Sequence, residues 1–276
     1  MSPEKLIIFD YSGTLSLGAS LFARPDSLMK QLEESGLKDL GVDSPVVFWE
    51  QIVNPTWMEG STTAAGYKKI LENRITAILY QNMSIISCVR ISDAVSSFVN
   101  RYLGHSRIDR RWEAVLHRLN AHPSIIVIVA TDHYAEATGA MIKCLREFRI
   151  KAAAAKNAFI NLREAPFIVA NSADMGVHKA DPRFWELLKS RLNLDAVRHI
   201  LIIDDFGFNE QEGDRYGERN KVEARKEQTL RMLETVFQAD VQVIPMMIEA
   251  DDQGKDALYG NLIMHASTAI DRYLAS

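Results

Sequence analysis

Residues 6–10, LIIFD, carry an apolar run that stops on a carboxylate, and no comparable run follows until SIIVIVA at 124–130. A short run rich in Ile and Val reads as a strand covered on both faces, the pattern of a parallel sheet. Its next sheet partner therefore lies about a hundred residues further along. The interval offers no strong strand run. It holds amphipathic helical patterns at 26–35, 46–52, 63–80 and 91–103. The simplest arrangement is a helical domain (17–116) inserted directly after the first strand of a core formed by 1–16 and 117–276.

From about residue 120 the pattern changes. SIIVIVA before Thr131 and HILIID leading to Asp205 read as strands, with FIVAN (167–171) and VQVIPMM (241–247) as further candidates. Helical patterns lie between and after them: Tyr134 to Phe148, Pro182 to Leu192, Lys221 to Phe237 and Asp256 to Leu274. Pro182 suits a first helical turn, where its missing N–H costs nothing. Alternating strands and helices point to βαβ units and a doubly wound parallel α/β sheet. No internal repeat is visible, and AAAA at 152–155 is too short to count as low complexity.

In an open α/β sheet, ligands bind outside the carboxyl ends of the strands. Polar clusters fall at those ends here: Asp10-Tyr11-Ser12-Gly13-Thr14, Thr131-Asp132-His133, His178-Lys179-Ala180-Asp181-Pro182, and Asp204-Asp205 followed by Asn209-Glu210. Carboxylates in such number suit a hard cation with oxygen ligands, Mg²⁺ above all. With one Lys and two hydroxyls, the set also suits phosphoryl transfer, where cations neutralise the transferring group. A net charge of −4 predicts neither a nucleic-acid surface nor a polybasic membrane patch. No run approaches bilayer-spanning length, and MSPEKLIIFD does not read as a signal peptide, so the expected location is the cytoplasm. The two cysteines, Cys88 and Cys144, read as free, buried and reduced.

These clusters resemble the four motifs of the haloacid dehalogenase (HAD) superfamily, in order across residues 6 to 217. DYSGTL is similar to the family's D-x-D-G-T-L, Thr131 to its Ser or Thr after an apolar strand, and HKADPRFW to its K-x-D-P. IDDFGFNEQEG is similar to G-D-x-x-x-N-D-x-x-G, with Asp205, Asn209, Glu210 and Gly213 in register. The helical insertion resembles the family's helical cap. The resemblance implies that Asp10 is a nucleophile attacking phosphorus, and that Lys179 and Thr131 act on the phosphoryl group beside it. Asp10, the Ser12 carbonyl, Asp205 and Glu210 would hold Mg²⁺. Gly13, Thr14, Asp132 and His133 would line the substrate position, Gly13 also making the tight turn that presents Asp10. The implied substrate is a small phosphorylated or phosphonate metabolite.

One position departs from the pattern. The family's phosphatases carry an acid two residues after the nucleophile, which protonates the leaving group and then activates water. This chain has Ser12. Two alternatives follow: a binding or scaffolding protein without turnover, or an enzyme resembling phosphonoacetaldehyde hydrolases, with Lys68 or Lys69 of the insertion forming a Schiff base. Read without the resemblance, Tyr67, Lys68 and Lys69 are a solvated helix face. Trp49 and Trp57 are core of the insertion, His133 and His178 are bystanders or substrate contacts, and Glu249 to Asp252 is a solvated loop.

Overall fold

The computed structural model describes residues 3–79, 85–122, 124–157, 162, 164–211, 213–249 and 254–276. Six strands form one parallel sheet: β1 (Lys5–Phe9), β2 (Ile125–Thr131), β3 (Ala152–Ala154), β4 (Phe167–Asn171), β5 (His199–Asp204) and β6 (Asp240–Pro245). Their order across the sheet is β3-β4-β2-β1-β5-β6. β1 lies in register between its neighbours, with Phe9 opposite Val129 on β2 and Ile203 on β5. The strand order reverses beside β1, which makes its carboxyl end the switch point where ligands bind in such sheets.

Alternation along the strands fills two cores. Ile7, Phe9, Val127, Val129, Leu201 and Ile203 face one side, while Leu6, Ile8, Ile126, Ile128, Ile200 and Ile202 face the other. On the first face pack α6 (Glu113–Ala121), α7 (Glu136–Glu147) and α11 (Lys255–Ala275), contributing side chains such as Leu119, Met141 and Ile263. On the second lie the short α8 (Ser172–Met175), α9 (Pro182–Leu192) and α10 (Arg219–Phe237), through Met175, Phe184, Trp185 and Leu233. Both faces being covered explains why the strands read as unbroken apolar runs.

The helix over Pro182–Leu192 has the bounds that its sequence predicts. Asp181 caps it by accepting from the Arg183 amide at 2.9 Å, Pro182 opens its first turn, and Asn193 ends it in the left-handed region at φ 53°. The strand at 152–154 is one the sequence reading missed. Three alanines carry no β-preference, and the segment is extended because it pairs with β4 at the edge of the sheet.

Between β1 and β2 the chain is helical: α1 (Leu17–Phe22), α2 (Pro25–Ser35), a π-helical turn (Val47–Val53), α3 (Asn54–Thr62), α4 (Tyr67–Leu79) and α5 (Ile85–His105). The pattern at 63–80 gives a helix that starts only at Tyr67, after Gly66 turns at φ 82°. These helices bury a third cluster running from Phe22 to Val99, joined by Tyr134 from the loop after β2. Ile108, Trp112, Val115 and Leu116 pack instead with the sheet. Among the described residues, no helix is long and apolar enough to cross a membrane. Cys144 is buried and free as expected, but Cys88 is exposed, because α5 turns it away from the helical core. The acidic segment 249–252 lies outside the described residues beyond Glu249.

Candidate active site

Asp10 follows the last residue of β1 and is buried, its amide donating to the Ile203 carbonyl at 2.9 Å. The turn after it depends on Gly13, which sits at φ 73°; a Cβ there would lie 2.5 Å from Oδ2 of Asp205. Only glycine meets both conditions. Thr14 is fully buried. Its hydroxyl accepts from the Asp205 amide at 3.1 Å, so it ties the first polar cluster to the fourth instead of lining the cavity described below. The Thr14 carbonyl accepts from Trp112 Nε1 at 3.1 Å and from the Tyr259 hydroxyl at 2.6 Å. Asn209 completes the frame: its Nδ2 donates to the carbonyls of Gly13 (2.9 Å) and Met246 (2.7 Å), and its Oδ1 accepts from the Ile248 amide at 2.9 Å.

Lys179 reaches this turn from the loop before α9. Its backbone is held at both ends, by Asp132 Oδ1 accepting from its amide at 2.8 Å and by Trp185 Nε1 donating to its carbonyl at 2.9 Å. The ammonium donates to Asp10 and, at 3.1 Å, to Asp204. All three side chains are buried. Asp10, Asp204 and Asp205 each offer an oxygen within 4.8 Å of the others. The sequence reading placed Glu210 among the ligands and did not assign Asp204 to them. The structure brings Asp204 into the cluster and leaves Glu210 outside it, its Oε1 accepting from the Ser12 hydroxyl at 2.7 Å.

Charge is unbalanced here, with acids outnumbering the single ammonium. Burial pushes the Asp10 carboxyl up to about 7, with Lys179 opposing the rise and Asp204 adding to it. Burial, with Asp10 and Asp204, holds Asp205 well above the usual carboxylate range. Glu210 is pushed up to about 8 by burial and by Asp214, against the Ser12 hydrogen bond. Burial alone would pull the Lys179 ammonium down, but Asp10 and Asp204 hold it well above its ordinary value. Three close carboxylate oxygens with surplus negative charge form a donor set that fits a hard divalent cation.

A cavity of about 90 Å³ opens over this floor. Asp10, Ser12, Thr131, Asp132, His133 and Asp205 line one end, and side chains of the helical insertion line the other, among them Phe22, Phe48, Trp49 and Phe98. Trp49 and Trp57 therefore face the cavity as well as packing in the insertion. Tyr67, which reads from sequence as a solvated face, is buried and stacks on Tyr134 at 3.9 Å. Lys68 and Lys69 do lie on the exposed side of α4 and do not line the cavity. His133 is a neutral, fixed ring: Nδ1 accepts from the Tyr134 amide at 2.8 Å, so Nε2 carries the proton and meets the Tyr102 hydroxyl at 2.8 Å. Burial pulls it down to about 4. His178 meets Ser61 at 2.6 Å and stacks on Trp57. Asp214 and Tyr216 also line the cavity, and the sequence reading missed both. Their signal was their place just after Gly213 in the fourth motif.

No family model matches this chain, and no curated protein matches it. Among solved structures it is similar to members of the HAD family. A 2-haloacid dehalogenase from Pseudomonas syringae pv. Tomato DC3000 is 16% identical with a TM-score of 0.46, the match covering 79% of this chain and 84% of that one. YfnB from Bacillus subtilis, described as a HAD-hydrolase and bound to magnesium, is 14% identical with a TM-score of 0.41, covering 78% and 84%. A phosphonoacetaldehyde hydrolase-like protein from Oleispira antarctica is 15% identical with a TM-score of 0.37, covering 95% of each chain.

Proposed function

We propose that this chain is a HAD-like, Mg²⁺-dependent hydrolase that acts on a small phosphorylated metabolite through Asp10, with the helical insertion serving as its cap. The observation that carries this reading is the position of Asp10: buried at the switch point, bonded to Lys179, clustered with two further aspartates, and lining a cavity. A carboxylate so placed is a nucleophile for phosphorus. Lys179 orients Asp10 and offsets charge on the transferring group. Thr131, buried beside Asp10, offers a hydroxyl to a phosphoryl oxygen. Mg²⁺ held by Asp10, Asp204 and Asp205 would supply Lewis-acid neutralisation of the phosphoryl charge. Side chains of the insertion line the cavity, and a cap so placed would limit its occupant to a small molecule.

A Schiff-base mechanism is disfavoured, because none of the described side chains lining the cavity is a lysine. The binding-only reading rests on Ser12 and is decided by turnover. Purified protein with Mg²⁺ is assayed against an aryl phosphate and a panel of metabolite phosphates. We expect release of inorganic phosphate that falls by about 10³-fold or more in Asp10→Asn, as for loss of a nucleophile. No turnover of any ester, in wild type and in Ser12→Asp alike, rejects the enzyme reading in favour of the binding one.

A further inference from the structure

Two independent features of the site restrict what the leaving group can be. At the first, Ser12 stands two residues beyond Asp10, and its hydroxyl is engaged as a donor to Glu210. A serine hydroxyl is a poor acid, so without a proton from Glu210 behind it an alkoxide leaving from phosphorus would depart nearly as basic as hydroxide, the conjugate base of water at a pKa of about 15.7. A phenolate is far less basic, its conjugate acid having a pKa of about 10, and leaves without a proton. At the second feature, the far end of the cavity is lined by Phe22, Leu28, Phe48, Trp49, Val53 and Phe98. The charged side chains that line the cavity are all acids, Glu210 and Asp214 among them, and no Lys or Arg lines it among the described residues. A leaving group with its own anion would meet acids there and no cation to pair with.

We infer that the substrate class is a phosphate monoester of an aromatic alcohol carrying no second anionic group. The inference rests on the reading of Asp10 as nucleophile. An Asp10 oxygen bonds to phosphorus as the phosphorus–oxygen bond to the ring breaks, and the phenolate departs with the electron pair and takes no proton. Water then attacks the phosphorus of the aspartyl-phosphate, the bond to Asp10 breaks, and the water's protons leave with inorganic phosphate and solvent. No carboxylic acid stands at position 12 to activate that water, so the second step is slower than the first for a good leaving group.

The test is a leaving-group series with Mg²⁺: substituted phenyl phosphates, 2-naphthyl phosphate, 4-carboxyphenyl phosphate, hexyl phosphate and glucose 6-phosphate. Aryl esters should exceed hexyl phosphate in kcat/KM by on the order of 10² to 10⁴-fold, the size of a general-acid contribution. Rapid mixing should release about one equivalent of phenolate per site in a burst before a slower steady state. The 4-carboxyphenyl ester should show a raised KM against its uncharged analogue. Binding of 2-naphthol, read by quenching of tryptophan fluorescence and weakened in Trp49→Phe, reports the apolar end without turnover. Equal or better turnover of glucose 6-phosphate, or rates that do not depend on the leaving group, would overturn the inference while leaving the Asp10 reading intact. Failure of every ester together with failure to bind 2-naphthol would overturn both. Naphthol binding without turnover would support the apolar pocket and reject the Asp10 chemistry, and with it the aryl ester as a substrate.

Discussion

The floor and the roof of the cavity are built on opposite principles. Four segments far apart in sequence meet at the floor, where specific partners fix key polar side chains: Lys179 between Asp10 and Asp204, and Asn209 across three backbone groups. The roof comes from one continuous insertion and is held by packing among Phe22, Phe48, Phe98, Tyr67 and their neighbours. A network of buried charges is intolerant, because each partner removed leaves another unpaired. A packed apolar cluster tolerates exchange at nearly constant volume. Under the proposed function, the floor would fix the kind of chemistry and the roof would set which molecule undergoes it.

The sharpest way to break this contrast is Lys179→Met. Buried Asp10 and Asp204 then lose their cation, and stability should drop by about 3–5 kcal/mol, together with most activity. Urea midpoints and initial rates measure both, and retention of either quantity would contradict the account of the floor. A divalent ion tests the same charge imbalance. Asp10 rises from 3.8 to about 7 and Glu210 from 4.5 to about 8 on folding, so both bind protons more tightly in the native state. Their stabilising contribution is complete below pH 4 and is lost as pH rises through 7 and 8. In a chelator, the denaturation midpoint should therefore fall between pH 5 and pH 8, and Mg²⁺ should restore more of it at pH 8 than at pH 5. A midpoint that climbs over this range without metal would refute the assignment.

Gly13→Ala should cost about 1–3 kcal/mol, from the positive φ and the close approach to Asp205, and should lower kcat by displacing Asp10. The matching change in the roof is Ile52→Val, at a fully buried side chain that does not line the cavity. It should cost about 0.5–1.5 kcal/mol and leave kcat unchanged. A fall in kcat from Ile52→Val as deep as that from Gly13→Ala would erase the distinction between the two regions.

The same distinction explains what could be seen in the sequence. Floor residues announce themselves because they end unusually apolar runs: Asp10 after LIIF, Thr131 after IIVIVA, Asp204 after HILII. The two faces of β1 are legible for the same reason, since a strand covered on both sides has no polar positions. Roof residues do not stand out. Trp49, Trp57 and Tyr67 follow ordinary helical spacing, and nothing local distinguishes a ring facing a cavity from one facing a core. Tyr67 was misplaced because two lysines follow it, although the helix directs it inward against Tyr134. Trp185, which anchors the Lys179 carbonyl, reads simply as a core position of α9. The role of Ser12 as a donor to Glu210 joins residues 198 apart in sequence, a pairing that motif spacing does not specify.

The Thr14 carbonyl, gripped by Trp112 and Tyr259, ties the turn after Asp10 to the order in which the protein is made. Asp10 is synthesised well before Tyr259, yet the Tyr259 hydroxyl, which shapes the turn beside it, belongs to α11. At ribosomal speeds of about 5–20 residues per second, roughly ten to fifty seconds separate the two. For most of that time β1 also lacks β5, one of its two flanking strands, which ends at Asp204. A nascent chain therefore carries the Asp10 carboxylate beside an unfinished turn for that whole interval. The turn is complete only when α11 docks.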